Sequence, residues 1–275
     1  MSAKTGKKRA SPGTDDIKNG DPLAEVSIGE EEDQKLTAAQ KDVQRVELVL
    51  ERRAQQSLTP VYQKRRETLK AIAKFWPVTL LKHSIVGFHA QHDADRIALS
   101  HLEDVWIVRD AQEPKVFTLE FYFKENPYFT DSVLKKEYKF EPQSKGSKDV
   151  DADGISDAML DFSWERDVVP QATKISWKDE SKKLTKLYPL VLDQEDAEQV
   201  VDPGSFFNFF EIAQDHLELG VIIANEIFPD AIDYFRGNAG GDELDSDDDE
   251  DSEDDDEDAD EIDLEKPRAK KAKNA

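Results

Sequence analysis

Apolar residues at Leu36, Ala39, Val43, Val46 and Leu50 recur at alternating three- and four-residue steps, the a/d stripe of a helix that lies along another helix. After Leu50 the step lengthens to fours through Ala54 and Leu58. The stripe then resumes at Val61, Arg65, Leu69, Ile72 and Trp76. A run of fours inside a heptad pattern locally unwinds a supercoil. A helix over residues 34–76 would be roughly 60 Å long at about 1.5 Å per residue. That outruns any domain a chain of 275 residues folds, so the stripe is expected to meet a second copy of itself. Pro60 opposes a straight helix, because it removes one hydrogen bond and costs roughly 3 kcal/mol. Two readings fit: one long helix kinked near residues 56–60, or two helices in a hairpin. Residues 55–59 hold no glycine and only moderate turn chemistry, which favours the kinked helix. Glu30, Glu31, Glu32 and Asp33 suit the positive end of its dipole. Phe75-Trp76-Pro77 is expected to end it.

From Val105 the period changes to two. Trp106 and Val108 oppose Val105 and Ile107, and Phe117, Leu119, Phe121 and Phe123 alternate with Val116, Thr118, Glu120 and Tyr122. The second run predicts a strand with an aromatic inner face. Gln112-Glu113-Pro114-Lys115 reads as the turn between them and Asn126-Pro127 as a further break. Leu134, Tyr138 and Phe140 alternate again, with Lys136 as an exception, and Thr173, Ile175 and Trp177 form a last alternating run. Sequential strands with short turns predict an antiparallel meander. Ser205, after Pro203-Gly204, is placed to cap a helix that opens with Phe206, Phe207, Phe209 and Phe210. Val221, Ile222, Ile223, Ile227 and Phe228 continue a helical layer to Pro229, and residues 234–237 close the folded part. The fold class is therefore α+β: a long helix, a meander, then helices.

Charge divides the chain further. The net charge is −24; residues 242–265 carry 18 carboxylates and no base, and the last ten residues carry +5, which leaves −11 on the rest. The expected segments are a disordered tail at 1–33, the long helix at 34–76, an α+β domain at 77–237 and a disordered acidic tail at 238–275 that ends in a basic cluster. An acidic, flexible insertion spans 143–171. Within it, Asp149-x-Asp151-x-Asp153-Gly154 opens like a calcium-binding EF-hand loop, but the twelfth position is Leu160 rather than glutamate. A solvated loop that docks Met159, Leu160, Phe162 and Trp164 is the better reading. The long helix carries more Lys and Arg than Asp and Glu, so the most acidic surface lies elsewhere.

Several kinds of chemistry are set aside. Without cysteine there is no disulfide, thiolate nucleophile or Cys-ligated metal. No apolar run reaches 18 residues, so no membrane span is expected, and the segment at Met1 has no apolar stretch of a secretory signal. His89-x-x-His92 has neither cysteine nor a glutamate motif beside it and is read as ordinary histidine. Residues 237–241 lack the Lys-Ser/Thr of a phosphate loop. No enzyme, cofactor or metal is expected. An acidic chain is a poor ligand for the nucleic-acid backbone, so sequence-specific nucleic-acid binding is not expected; a polyanion favours polycations. Lys266, Arg268, Lys270, Lys271 and Lys273 read as a nuclear-import signal, stronger than the cluster of Lys4, Lys7, Lys8 and Arg9, so the nucleus is the expected location, with shuttling to the cytoplasm.

Residues 121–129, Phe-Tyr-Phe-Lys-Glu-Asn-Pro-Tyr-Phe, resemble the F-x-F-x-x-N-P-[YF]-F signature of the nucleosome assembly protein (NAP) family. Leu134-Lys135-Lys136-Glu137-Tyr138, Lys174-Ile175-Ser176-Trp177-Lys178 and Ser205-Phe206-Phe207-Asn208-Phe209-Phe210 are similar to the segments that follow it. Pro60-Val61-Tyr62-Gln63-Lys64-Arg65 matches the proline-bearing stretch of the family's long helix, which supports the single kinked helix. The resemblance covers about residues 34–236 and is nearest the SET (template-activating factor) branch; the insertion at 143–171 departs from it. It implies a histone chaperone. In that family long helices pair antiparallel into a homodimer, each α+β domain hangs at one end like an earmuff, and acidic surfaces and tails hold core histones. The dimer contacts would come from Leu36, Val43, Val46, Leu50, Leu58, Val61, Leu69 and Ile72. The histone contacts would come from Glu195, Asp196, Glu198 and Asp202, with Asp247, Asp248, Asp249, Asp254, Asp255 and Asp256 in the tail. The SET resemblance also admits a second role, inhibition of another nuclear enzyme such as a protein phosphatase.

Overall fold

The computed structural model describes residues 29–143, 149–196 and 199–240. Its first element, α1 (Glu30–Leu69), is one helix of 40 residues with four carboxylates in its first turn. The helix passes through Pro60 without a break, so the hairpin alternative does not hold. Just before the proline, the hydroxyls of Ser57 and Thr59 donate to the carbonyls of Arg53 and Gln55, at 2.9 and 2.7 Å. These bonds add partners to the turn in which proline withholds a donor.

The helix ends earlier than its apolar spacing suggests. It stops at Leu69, and Lys74 takes a left-handed conformation with φ 59°. A new helix, α2 (Phe75–Leu81), starts there and changes direction. Pro77 does not terminate anything. It sits in the first turn of α2, where a missing N–H costs little. Ile72 therefore lies in the connecting turn, and Leu69 and Trp76 are buried in the main core, not on the helix stripe.

Two short helices follow, α3 (Ser84–His89) and α4 (Asp93–Leu99), and then three strands, β1 (Leu102–Arg109), β2 (Phe117–Phe123) and β3 (Val133–Phe140). They form the expected antiparallel meander, with Val105 opposite Phe121 and Phe121 opposite Leu134. Burial alternates strictly along β2, so Phe117, Leu119, Phe121 and Phe123 face the core. At the break after β2, the Asn126 side chain accepts from the backbone N–H groups of Tyr128 and Phe129, at 2.9 and 3.0 Å. This side-chain turn gives the Asn-Pro-Tyr-Phe sequence its shape.

The fourth strand departs from expectation. Two one-turn helices, α5 (Asp157–Leu160) and α6 (Trp164–Asp167), lead into β4 (Val168–Pro170), which pairs with Tyr138, Lys139 and Phe140 of β3. Residues 173–177 form no strand beyond one bridge between Phe129 and Trp177. Their backbone groups go elsewhere: Thr173 N–H to the Phe210 carbonyl, Ser176 N–H to the Asp131 carboxylate. Their alternation reflects one buried side, with Ile175 in the core, and not a ladder. The insertion likewise is not a free loop over its described part, since residues 151–159 lie against α1.

Beyond it come α7 (Leu184–Leu187), a two-stranded hairpin of β5 (Val191–Leu192) and β6 (Val200–Asp202), α8 (Asn208–Glu211), α9 (Leu219–Ile222), a π-turn at Ile223–Ile227, and α10 (Ala231–Arg236). Phe206, Phe207, Phe209 and Phe210 are all buried. Phe121 meets three of these rings at centroid distances of 5.1–6.4 Å. Ser205 caps the turn that leads into α8: its hydroxyl accepts from the Phe207 N–H at 3.2 Å and donates to the buried Asp95 at 2.5 Å, and Asp95 also accepts from the Phe206 N–H at 3.2 Å. The other face of the sheet carries Trp106 and Tyr122. There Arg66 of α1 stacks at 4.7 and 5.0 Å from the two rings and pairs with Asp104 at 2.5 Å. The sheet is thus held between α1 and the phenylalanine layer.

Lys136, the exception in the β3 pattern, is fully buried. Its ammonium donates to the carbonyls of Ile212 and Ala213, at 2.6 and 2.8 Å, just past the end of α8. Burial pulls its pKa down to about 8. Lys136→Met keeps the apolar stem and leaves both carbonyls without this donor. It is expected to lower the free energy of unfolding by roughly 1.5–3 kcal/mol, the scale of hydrogen bonds to a charged group. Urea denaturation measures this, and an unchanged midpoint would show that the lysine is dispensable.

Candidate functional site

Helix α1 has two working faces. On the first, Leu36, Val43, Val46, Leu50 and Val61 are each more than half exposed, with Leu58 at 37%. A continuous apolar row left in water over most of a 40-residue helix is a surface made for a partner. Of the eight stripe residues, the structure brings six together on this helix. Ile72 lies past its end, 40% exposed, and Leu69 is buried in the domain.

The second face, at Lys41, Arg45, Leu48 and Arg52, follows the same four-three-four spacing. Leu48 is only 1% exposed. The sequence reading counted these residues as a basic excess and missed the row. Its signal was present, in the helical spacing of three cations around one leucine. The described part of the acidic insertion covers them. Asp151 Oδ1 accepts from the backbone N–H groups of Asp153 and Ile155, while Asp151 Oδ2 and Asp153 Oδ2 turn to Arg45.

The acidic hairpin is the other candidate surface. Asp193 accepts from the N–H groups of Glu195 and Asp196, at 2.7 and 3.2 Å, which shapes the tip and leaves the Glu195 and Asp196 side chains facing outward. Glu198 lies outside the described residues. Asp202 is not a free surface charge. It is half-buried, and one carboxylate oxygen accepts from the Gly204 N–H and the Gln91 amide, both at 2.9 Å. Gly204 has φ +64°, and a β-carbon there would strike the carbonyls of Tyr188 and Pro189, so this turn requires glycine. Asp202 and Gly204 fix where the hairpin leaves the domain; Glu195 and Asp196 are what it presents.

The tail carboxylates Asp247, Asp248, Asp249, Asp254, Asp255 and Asp256 and the basic cluster Lys266, Arg268, Lys270, Lys271 and Lys273 lie outside the described residues. His89 and His92 fall on separate elements: His89 contacts the Ile85 carbonyl at 2.8 Å, and His92 stacks on Tyr188 at 3.8 Å. Among the described residues, no cluster of three His, Asp or Glu side chains is arranged to hold a metal ion, and no helix is long and apolar enough to cross a membrane.

A long exposed helix, a four-stranded antiparallel sheet, a helical layer and an acidic hairpin define an α+β fold. Comparison with known proteins gives it a family. Residues 23–238 match the family model described as Nucleosome assembly protein (NAP), and the chain belongs to that family. It is 29% identical over 205 residues to nucleosome assembly protein 1-like 1-A of Xenopus laevis, covering 66% of this chain and 50% of that protein. It is 32% identical over 207 residues to nucleosome assembly protein 1;2 of Oryza sativa subsp. indica, covering 67% of this chain and 51% of the relative. The chain thus spans about half the length of these relatives. The fold is shared with the crystal structure of Ccp1, at 21% identity and a TM-score of 0.55, over 75% of this chain and 95% of that one.

Proposed function

We propose that this protein is a homodimeric, non-enzymatic histone chaperone of the nucleus that shields the positive charge of core histones until DNA takes it. The observation that carries this reading is the run of 18 carboxylates at 242–265, joined to a NAP-family domain. Each exposed ion pair contributes only about 0.2–1 kcal/mol. Binding therefore depends on the number of pairs and falls with salt. Many weak, exchangeable contacts give fast, steered association, and they let the denser charge of DNA strip the histone away. The exposed stripe on α1 supports the dimer, which doubles the number of tails and hairpins on one particle and raises their effective concentration.

Removing residues 242–275 is expected to weaken histone binding by at least about tenfold near 0.15 M salt and to flatten its salt dependence, while the dimer stays intact. Fluorescence anisotropy with labelled core histones at several salt concentrations, together with light scattering, measures both. Unchanged affinity would remove the tail from the mechanism. Equal binding to unrelated basic proteins of the same charge would reduce the protein to a generic polyanion. The nearness to the SET branch is what the resemblance over residues 34–236 implies. It carries the second reading, phosphatase inhibition, which a phosphatase assay with and without the protein separates from chaperoning.

A further inference from the structure

The body of the domain meets α1 near the helix's C-terminal end. Tyr62 packs edge-on to Phe228 at 5.1 Å, Arg65 donates to the carbonyls of Phe228 and Pro229, both at 2.7 Å, and Arg66 pairs with Asp104. The N-terminal half of α1 is held by a different part of the chain. Arg52 spreads its guanidinium over three carbonyls: Gln112 at 2.8 Å, in the turn between β1 and β2, and Asp153 and Gly154 at 2.8 and 3.0 Å, in the insertion. Two turns earlier, Arg45 pairs with Asp151 and, at 2.5 Å, with Asp153. Lys41 pairs with Asp157 at 3.2 Å. Leu48 lies in the middle of these cations, and it, Ile155 and Ala158 are all at least 97% buried yet stand outside the main core. Short helix α5 packs on α1 at this level. The insertion is fastened to the sheet side as well, since the Lys115 ammonium lies 4.5 Å from the Phe162 ring.

We propose that residues 149–162 are an intramolecular strap, an acidic segment whose partner is the Lys41–Arg45–Leu48–Arg52 face of α1 in the same chain. The strap extends the domain's grip on α1 over the stretch from Lys41 to Arg52, eleven residue steps or about 16 Å of helix at about 1.5 Å per residue. It fixes the direction in which the N-terminal half of the helix leaves the domain, and it does so on the face opposite the exposed apolar stripe. While closed, it also commits Asp151, Asp153 and Asp157 to the chain's own cations, so these carboxylates are withheld from a basic ligand. The Arg45 guanidinium holds the Asp151 carboxyl down at about 2, so the charge on this side of the strap persists through the whole neutral range. Salt, and not pH near neutrality, is the condition that loosens the ion-paired contacts. Arginine is the right residue at position 52, because only its planar fork reaches three carbonyls at once.

Two experiments on the full chain test this. The first mixes isotopically light and heavy protein, lets subunits exchange, and applies a zero-length carbodiimide cross-linker. Mass spectrometry of the peptides is expected to find the Lys41–Asp157 amide joining light to light and heavy to heavy only. A mixed light–heavy link would show that the segment grips a second copy, and absence of the link would show that it does not lie on α1; either result overturns the proposal. The second follows amide hydrogen exchange. Arg52→Ala is expected to speed exchange at residues 151–161 by roughly tenfold or more, the scale of losing hydrogen bonds to a charged group, with residues 117–123 of β2 unchanged. Unchanged exchange in 151–161 would overturn the strap. If β2 also loosens in that variant, D151N/D153N decides: asparagine keeps the turn acceptor of Asp151 but removes the charge. Faster exchange confined to the strap supports the proposal, and protection equal to the parent's overturns it.

Discussion

With aspartate in place of both Val46 and Leu50, the chain is expected to become a folded monomer. Both side chains stand more than half exposed on the stripe of α1. In a symmetric dimer each substitution is felt twice, so four buried apolar contacts become four carboxylates. Burying a fully exposed valine or leucine side chain is worth about 1.5–3 kcal/mol, and these are about 60% exposed, so roughly 4–7 kcal/mol of association is lost before charge repulsion is counted. At about 1.4 kcal/mol per tenfold, the dissociation constant rises by roughly three to five orders of magnitude. The domain is expected to survive, because its own hold on the helix uses the other face, through Leu48, Tyr62, Arg66 and Leu69. Light scattering at micromolar concentration reads the mass and near-ultraviolet circular dichroism reads the aromatic core. A double variant that still weighs twice the chain would move the dimer contact off this stripe. A parent protein that is already monomeric would remove the homodimer from the proposed function.

Much of this architecture is legible in the residues because it rests on short-range periodicity. The 3-4 spacing of Leu36 to Leu50 is a helix stripe whatever surrounds it, and the alternation from Phe117 to Phe123 specifies a strand with one dry face. The phenylalanine cluster at 206–210 announces its burial by composition alone. What was not legible depends on contacts distant in sequence. Trp76 continues the helix spacing, yet the turn at Lys74 sends it into the core, and Leu69, still on α1, is covered by the domain. Lys136 looks like an error in a strand until Ile212 and Ala213, more than seventy residues away, supply the carbonyls it satisfies. The run at 173–177 alternates because one side is buried, and only the destinations of its N–H groups show that it joins no ladder. The insertion read as a solvated loop because its carboxylates had no visible partner; Lys41, Arg45 and Arg52 lie about a hundred residues upstream. Of the candidate histone-binding residues, Asp202 shows the same limit. Its charge is plain in the sequence, but its engagement by Gly204 and Gln91 is not.

Glu113→Gln is expected to stabilise the folded protein at pH 8 and to leave it nearly unchanged at pH 5. The sequence places Glu113 in an ordinary polar turn, but its carboxylate is only 2% exposed, and neither oxygen accepts a well-formed hydrogen bond from the described residues. Lys115, at 3.8 Å, is the near cation; Glu51 and Arg52 of α1 act on it with opposite sign. Burial outweighs the lysine and lifts the pKa from 4.5 to about 7. The sign follows from proton counting. Between those two values the folded state binds more protons than the unfolded state, so this group's contribution to stability falls as pH rises through that window. Below the lower value both states are protonated and nothing is lost. Above pH 7 the folded state holds an ionised carboxylate that it binds poorly, at a cost of up to about 3 kcal/mol at 1.36 kcal/mol per pKa unit. Glutamine has the same shape and no charge to expose, though its buried amide also lacks partners, which takes back part of the gain. A stabilisation of roughly 1–2 kcal/mol at pH 8 is therefore expected. Parallel urea titrations of parent and variant from pH 5 to 8.5 measure it as a difference, in which the titration of every other group cancels. A difference that does not grow with pH would mean that Glu113 is ionised and well solvated in the folded protein. A growing one would identify a carboxylate kept under the turn beside Gln112, where Arg52 of α1 and the insertion converge.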